Sequence, residues 1–468
     1  MSGTFSGLNA ATTALWAQRR ALDVAGQNIA NVNTDGYSRQ RAEMRAIGGS
    51  AVPAFYSTSD GIGGGVSVEQ VIRIRDAFLE GRGHTEHANY ARLSTQAAAL
   101  EQVETAFREP GEYGIQSLMA DMWDGWEAVS NGPDTDATRA QVLQQMKALV
   151  GGLHFASASL DAQWEVTREN LSVLVDDVNA AATTIADLNQ AIQRATQNGL
   201  PANDLHDQRD LLVMKLADQV GATVRPSKDG MLDVIVGGIV LVAGSSSAKV
   251  ALAGSSDMAG APGDKVRLVT AAGNLTVNPD GTAAGQLSAL NTIFPDYQAD
   301  LDALAKGIAD AVNAVHRTAF DRNGVAGGDV FVFSGTGPDV TATNIQVAFD
   351  DPALIAASGI GGAANTDNSK ADEIAQLRTK AGGPDATYRA LVVQLGVEAA
   401  VANRGVEIQQ VITSQVDAAR ESVAGVNIDE EMTNMLSYQH AYAAAARLVS
   451  AVDEMLDVLI NRTGRVGL

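Results

Sequence analysis

Cysteine is absent from the chain, which excludes disulfides, thiolate metal centres and cysteine nucleophiles without fixing a compartment. Aromatic residues are scarce at 5%, so alanine and leucine must carry most of the packing, a composition that leans towards helices. Proline is rare too, with 11 residues against 46 glycines, which suits many short connections and tight turns. Cationic residues are in the minority, 33 against 55 acidic ones, for a formal net charge of -22. Phosphate backbones and anionic lipid surfaces are bound by lysine and arginine, so this balance argues against nucleic acid and membrane as partners. No run of 18 apolar residues occurs, so no spanning helix is expected. The stretch from Met1 to Ala14 lacks a basic segment followed by an apolar core, so no cleavable secretory signal is expected. With 46% hydrophobic and 19% charged residues, the 468-residue chain has material for two or three domains with packed cores.

The two ends carry the clearest pattern. Leu8, Leu15, Leu22 and Ile29 recur every seven residues, and so do Ile428, Met435, Tyr442, Val449 and Leu456. Met432 and Ala446 flank the first part of the second row, and Val452 and Leu459 the second. A sustained seven-residue repeat holds one apolar seam towards a partner helix. Two matching stripes at opposite termini can pair with each other and with copies of the chain. Small residues such as Ala443 to Ala446 permit close approach on more than one side.

Between the ends, apolar steps of three and four mark helices at 93–107, 171–192, 205–220, 301–315 and 386–420. Between about 222 and 285 the pattern alternates instead: Leu232, Val234 and Val236, then Val240 and Val242, then Lys265–Leu268 and Leu275–Val277. Asp229-Gly230, Gly237-Gly238 and Asp280-Gly281 read as turns between short strands. The expected architecture is mainly α with an inserted β-rich subdomain: paired, coiled-coil-like terminal helices plus a long helical bundle. In residue ranges, 1–40 with 422–468 form a terminal helical assembly domain. Residues 41–221, 286–320 and 366–421 form the bundle, and 222–285 the β-rich subdomain, with 321–365 as its candidate extension.

Several stretches invite a chemical reading and have plainer ones. Gly61 to Gly65 could cradle phosphate, but Val66 and Val68 continue it as a strand, whereas such sites need a helix N-terminus behind the glycines. His84 and His87 could share a helix face, yet further metal ligands are lacking, and a solvated pair is the simpler reading. Asp321-Arg322-Asn323-Gly324 has its glycine at the wrong place for a calcium loop and reads as an Asx turn into a strand. Asp429-Glu430-Glu431 follows Asn427 and reads as a capped helix start, with acids opposing the helix dipole. No catalytic constellation, cofactor site or metal site is identified.

The segment Asn28-Ile29-Ala30-Asn31-Val32-Asn33-Thr34-Asp35-Gly36-Tyr37 closely resembles the signature of flagellar axial proteins, the family of rod, hook and hook-associated subunits. The C-terminal stretch from Ser422 through Asn427-Ile428-Asp429-Glu430-Glu431 to Asn461 is similar to the family's other end. Two details resemble its hook-associated protein 1 branch: Tyr37-Ser38-Arg39-Gln40, and Leu205-His206-Asp207-Gln208-Arg209-Asp210 followed by Leu212 and Val213. Arg75, Asp76, Phe78 and Leu79 also fit. The family motif residues are therefore Asn28, Asn31, Asn33, Thr34, Gly36, Tyr37, Arg39 and Gln40. The resemblance implies an extracellular, non-enzymatic subunit exported through the flagellar type III channel, joining hook to filament. It further implies four partners: copies of itself in a ring, hook protein, a second hook-associated junction protein, and an export chaperone at the C-terminal helix. Many members carry a sizeable β-domain after the segment matching Asp321–Phe333; here only a short connection precedes Asn344, so that outer domain is expected to be reduced or missing. Alternatives are a hook or distal rod subunit, which would lack the long helices at 160–220, and an exported adhesin or enzyme, which would need a polar cleft in 222–368. A calcium-binding surface module is a further alternative.

Overall fold

Apolar residues from Val142 to Trp164 and again from Leu171 to Ile192 recur every three or four positions, without a proline or glycine stop strong enough to end a helix. The result, in a computed structural model that describes residues 2–48, 64–273, 275–335, 339–363, 366–458 and 460, is one helix of 62 residues. At about 1.5 Å per residue it is about 93 Å long. The helix expected at 171–192 is its second half.

In chain order, α1 (Ser2–Ala30) leads to a hairpin of β1 (Gln40–Ala46) and β2 (Val66–Arg73). Then come α2 (Ala77–Phe107), α3 (Ile115–Asn131), the long α4 (Asp136–Gln197) and α5 (Asn203–Val220). Antiparallel strands β3 (Thr223–Pro226), β4 (Leu232–Val236), β5 (Ile239–Ala243) and β6 (Ser246–Ser247) form one sheet; β7 (Val250–Ala253), β8 (Arg267–Thr270) and β9 (Thr276–Val277) form another. Helices α6 (Gly281–Ser288) and α7 (Phe294–His316) return to the bundle, joined by a π-helical turn, Ala289–Ile293. Pro295 supplies the reason for that turn, since it has no N–H for the normal helical bond. A small hairpin, β10 (Phe331–Phe333) and β11 (Ile345–Val347), precedes α8 (Ser369–Ala375), α9 (Pro384–Ala424) and α10 (Ile428–Asp457).

Helix α2 packs on α9, α5 and α6, while α3 and α7 pack on α4. Three tryptophans fill this bundle: Trp123, Trp126 and Trp164 are all fully buried. Trp123 donates to Asp385 Oδ2 at 2.7 Å and Trp164 to the Leu290 carbonyl at 2.9 Å. The strands do not build a separate core. Val234, Val236, Leu241, Leu268 and Val277 belong to the same continuous apolar cluster as the helices.

Asparagines fasten strands to helices in a recurring way. A carboxamide offers one acceptor and one donor in a plane, so it can bond both the N–H and the C=O of one residue as a strand partner would. Asn179 does this to Val250, at 2.9 and 2.9 Å, and Asn189 to Leu232, at 3.1 and 2.7 Å. Asn291 does it to Val266, at 2.8 and 2.8 Å, and Asn313 to Phe331, at 3.0 and 2.7 Å.

Gly237 and Gly238, at φ 54° and 82°, make the two-residue turn expected between β4 and β5. Asp280-Gly281 is not a turn between strands. The Asp280 carboxylate accepts the Gly281 N–H at 2.9 Å and begins α6. Asp321 forms the Asx turn, accepting the N–H groups of Asn323 and Val325 at 2.8 Å each. Residues 61–63 of the glycine run lie outside the described residues, and Val66 opens a strand.

Asn189 is fully buried. Replacing it with leucine strands the Leu232 N–H and two carbonyls, so Asn189→Leu should lower the unfolding free energy by roughly 3 kcal/mol in urea titrations.

Candidate functional site: the joint between the chain ends and the bundle

Asn28 sits in the last turn of α1 and is buried. Its side chain clamps Gln40 at the start of β1 as the other asparagines clamp their strands, with both bonds at 2.9 Å. It also receives the Tyr37 hydroxyl at 2.8 Å and donates to Glu431 Oε2 of α10 at 3.1 Å. Burial first, and the nearby Asp207 carboxylate second, push the Tyr37 hydroxyl above the usual tyrosine range, so it remains a donor.

The loop from 31 to 37 makes these bonds possible. Thr34 N–H bonds the Asn31 carbonyl at 2.9 Å, and Tyr37 N–H the Thr34 carbonyl at 3.1 Å. Gly36 takes φ 77°, and a Cβ there would lie 3.4 Å from the Leu211 Cβ of α5. Asn33 and Thr34 are exposed; they shape the loop and do not enter the buried contacts.

Arg39 is the next tie. Its Nε donates to Glu431 Oε1 at 2.8 Å, its Nη2 lies 2.7 Å from the same oxygen, and its Nη1 donates to Glu430 Oε2 at 2.8 Å. Its backbone N–H bonds the Ala424 carbonyl at 2.8 Å, just before α10. Asn427 caps α10, accepting from Asp429 and Glu430 N–H. Capping is thus only part of the role of the acidic triplet. Glu431 is 3% exposed and is held by Arg39 and Asn28.

A chain of alternating charges carries the joint into the bundle. Ser38 donates to Asp207 Oδ1 at 2.7 Å, and Arg73 bonds Asp207 and Asp210 at 2.8 Å each. Arg75 bonds Asp210 and, at 3.0 Å, Glu80. Glu80 takes Arg420 at 3.0 Å, Arg420 takes Asp417 at 2.9 Å, and His87 bridges Asp417 and Asp218 at 3.0 and 3.1 Å. Burial raises the Asp210 carboxyl, but Arg73, Arg75 and Arg209 outweigh it and leave Asp210 below its ordinary range. Hydrogen bonding to Asp218 raises His87 despite its partial burial.

His206 points the other way: burial, then Arg209 and Arg73, lower it to about 4. It is therefore neutral when it accepts from Arg209 Nη2 at 2.9 Å. The two histidines read as a solvated pair are not one. His84 is buried, because its side of α2 faces the bundle, and His87 is an ion-pair bridge between α5 and α9. Among the described residues no group of three or more His, Asp or Glu is placed to hold a metal ion.

Helices α1 and α10 pack antiparallel: Asn28 meets Glu431 at one end, while Trp16 and Tyr442 line one groove farther along. The heptad leucines are not the deepest positions. Leu8, Leu15, Leu22 and Ile29 are half-buried, whereas Ala11, Ala17, Ala21, Val24 and Ala25 are buried. On α10 Val452 is buried; Met435, Val449 and Leu456 are half-buried. Ile428, Met432 and Tyr442 are exposed, and Leu459 lies outside the described residues. Alanines let the two backbones approach closely, so the larger side chains stand at the flanks of the contact.

Sequence reading missed Arg73, Glu80, Asp417 and Arg420. Arg73 ends β2 and Glu80 lies in the first turn of α2, while Asp417 and Arg420 lie within the last quarter of α9, and only their spacing in three dimensions relates them.

Comparison with known proteins gives a consistent result. Residues 100–331 match the flagellar hook-associated protein FlgK helical domain. Residues 413–462 match the flagellar basal body rod FlgEFG protein C-terminal model, and residues 8–37 the flagella basal body rod protein model. Flagellar hook-associated protein 1 of Bacillus subtilis is 32% identical over 99% of both chains. The Escherichia coli protein of the same name is 24% identical over 97% of this chain and 99% of its own. Among solved structures, the flagellar hook junction protein FlgK from Burkholderia pseudomallei superimposes with a TM-score of 0.63 at 17% identity. It covers 74% of this chain and all of its own length, which shows likeness of fold.

Glu431 is buried, whereas the Glu430 side chain is 58% exposed. Removing one partner of a buried pair strands the other, while exposed pairs contribute little. Arg39→Met should therefore lower the unfolding free energy by about 3 kcal/mol and Glu430→Gln by under about 1 kcal/mol, read by urea unfolding with hydrogen exchange at 28–40.

Proposed function

The chain belongs to the flagellar hook-associated protein 1 family, and we propose that it joins hook to filament by packing its terminal helices into a helical tube. It is a structural subunit of the bacterial flagellum, acting outside the cell. The observation that carries this reading is the joint itself. Both family end motifs and the Asp207–Asp210 motif meet there, the Arg39–Glu431 pair being joined through the Ser38 hydrogen bond to the Asp207–Arg73–Asp210 ion pairs. Such a network fixes the direction in which α1 and α10 leave the bundle, which a tube of identical subunits requires.

The surface supports packing among copies. Ile428, Met432, Leu436, Leu448 and Met455 are exposed along α10, and Val393, Val397, Val401, Ile408 and Val411 along α9. Rows of exposed apolar side chains on helices mark interaction surfaces. Burying each contributes roughly 1.5–3 kcal/mol, enough to offset ordering once neighbours cover them. The unit that assembles is 1–40 with 422–468; the bundle and its sheets form the outer part. Its neighbours are other copies in a ring, hook protein on one side and a second hook-associated junction protein on the other.

A hook or distal rod subunit shares both end motifs, but α4 and the match over 100–331 to the hook-associated helical domain favour the junction. Deleting the coding sequence should give cells with hooks of normal length and no filaments by electron microscopy. Loss of the hook would indicate a rod or hook subunit, and intact filaments an unrelated exported protein.

Before assembly the exposed stripe of α10 is an aggregation hazard, so residues 428–462 are the site at which an export chaperone binds. A chain truncated after Asn427 should lose chaperone binding in a pull-down from cell extract; binding at the full-length level would rule that site out.

A further inference from the structure

On the outer face of α1, Trp16, Arg19 and Arg20 belong to neither the joint nor the apolar stripes. Trp16 is 80% exposed, although the other three tryptophans are buried. It lines a groove of about 870 Å³ between α1, β2 and Tyr442 of α10, together with Leu15, Arg19, Arg20 and Asp23, so the two arginines outweigh the one carboxylate there. Arg19 and Arg20 are exposed, and no described carboxylate pairs with either. They are the only cations of α1, whose one acid is Asp23. Helix α10 is opposite in character. It carries Asp429, Glu430, Glu431, Asp453, Glu454 and Asp457 against the single Arg447.

The acids near Arg39 are engaged in the joint, but Asp453 and Glu454 are exposed beside Met455, Val458 and Ile460. Within one copy these acids cannot serve the arginines. Trp16 is level with Tyr442, so Asp453 lies roughly 16 Å farther along the antiparallel pair at ~1.5 Å per residue. In a second copy displaced along the helix axis by that length, they would lie beside the groove.

We infer that the Trp16–Arg19–Arg20 groove of one copy receives the last turn of α10, from Asp453 to Asp457, and the adjoining Val458 of the next. The inference rests on the proposed packing of terminal helices and names its contact. Charge selects the occupant. At a net charge of -22 two copies repel over most orientations, and approach is favoured where a cationic face meets an acidic one. Trp16 supplies the rigid apolar anchor that Met455 and Val458 cover, and tryptophan with arginine is the composition of interface centres. Because the two faces differ, the contact is head-to-tail and repeats into a ring or helical array instead of closing as a dimer.

The test uses the full chain in cells whose own copy is deleted. Arg19→Glu with Arg20→Glu should reduce filament-bearing hooks at least tenfold, and Asp453→Lys with Glu454→Lys should do the same. All four together should restore filaments, because the attraction is reversed and not removed. As a second measurement, Arg20→Cys and Asp453→Cys chains are expressed together and flagella are oxidised. The chain has no other cysteine, so a cross-linked dimer should appear in the mixture and from neither variant alone. Normal filament numbers with the first pair of changes would overturn the contact, as would cross-linking of either cysteine variant with itself. If the unaltered chain is missing from flagella, the proposed function falls with it; if it is present while the reversed chains assemble equally well, only this contact falls.

Discussion

A buried carboxylate, Glu431, holds the two ends of this chain to each other and to everything between them. Its oxygens are divided between Arg39 and Asn28, residues that flank the loop leaving α1. Burying a charge is costly unless its partners are fixed in place. The partners here are fixed because Asn28 also grips Gln40, and Arg39 is bonded through its backbone to Ala424 and Ile74. The geometry of the pair is therefore set by backbone on three sides. This explains how a chain can bring residues 392 positions apart, Arg39 and Glu431, into contact without a disulfide or a metal.

The same device recurs away from the ends. Besides Asn28, four helical asparagines each bind one residue of another segment through both its N–H and its C=O. The sheets are small and their strands short, so the ladders alone give little attachment. Clamping each to a helix ties the β-rich part to the long α4 or to the α6–α7 arm and lets the shared apolar core do the rest. Attachment of this kind fixes each short sheet on the bundle, as the joint fixes the start of β1 on α1 and α10.

Much of this was legible in order along the chain. The terminal stripes, the helices around 171–192, 301–315 and 386–420, and the alternating region after 222 each arise from side-chain period, which is a local property. The motif residues Asn28, Tyr37, Arg39, Asp207 and Asp210 stood out by resemblance, without any indication that they touch. Where local pattern misled was depth. A heptad row of leucines looks like a seam, yet Ala11, Ala21 and Ala25 lie deeper than Leu8, Leu15 or Leu22, because close helix approach rewards the absence of a side chain. Likewise Asp280-Gly281 has the composition of a turn. A cap and a turn both use an aspartate accepting a nearby N–H, and here the helical residues after Gly281 make it a cap.

Sequence by itself determined the helical class, the pairing of the ends, the acidic surface and the family, since period, composition and motif survive as one-dimensional signals. Only the tertiary structure decided that Arg73, Glu80, Asp417, Arg420 and His87 form one line of charge with the motif residues, that His84 is interior, and that Trp16 alone among the tryptophans faces outwards. Those facts depend on which faces of distant segments meet. That is fixed by the packing of all the helices at once and is carried by no single stretch of residues.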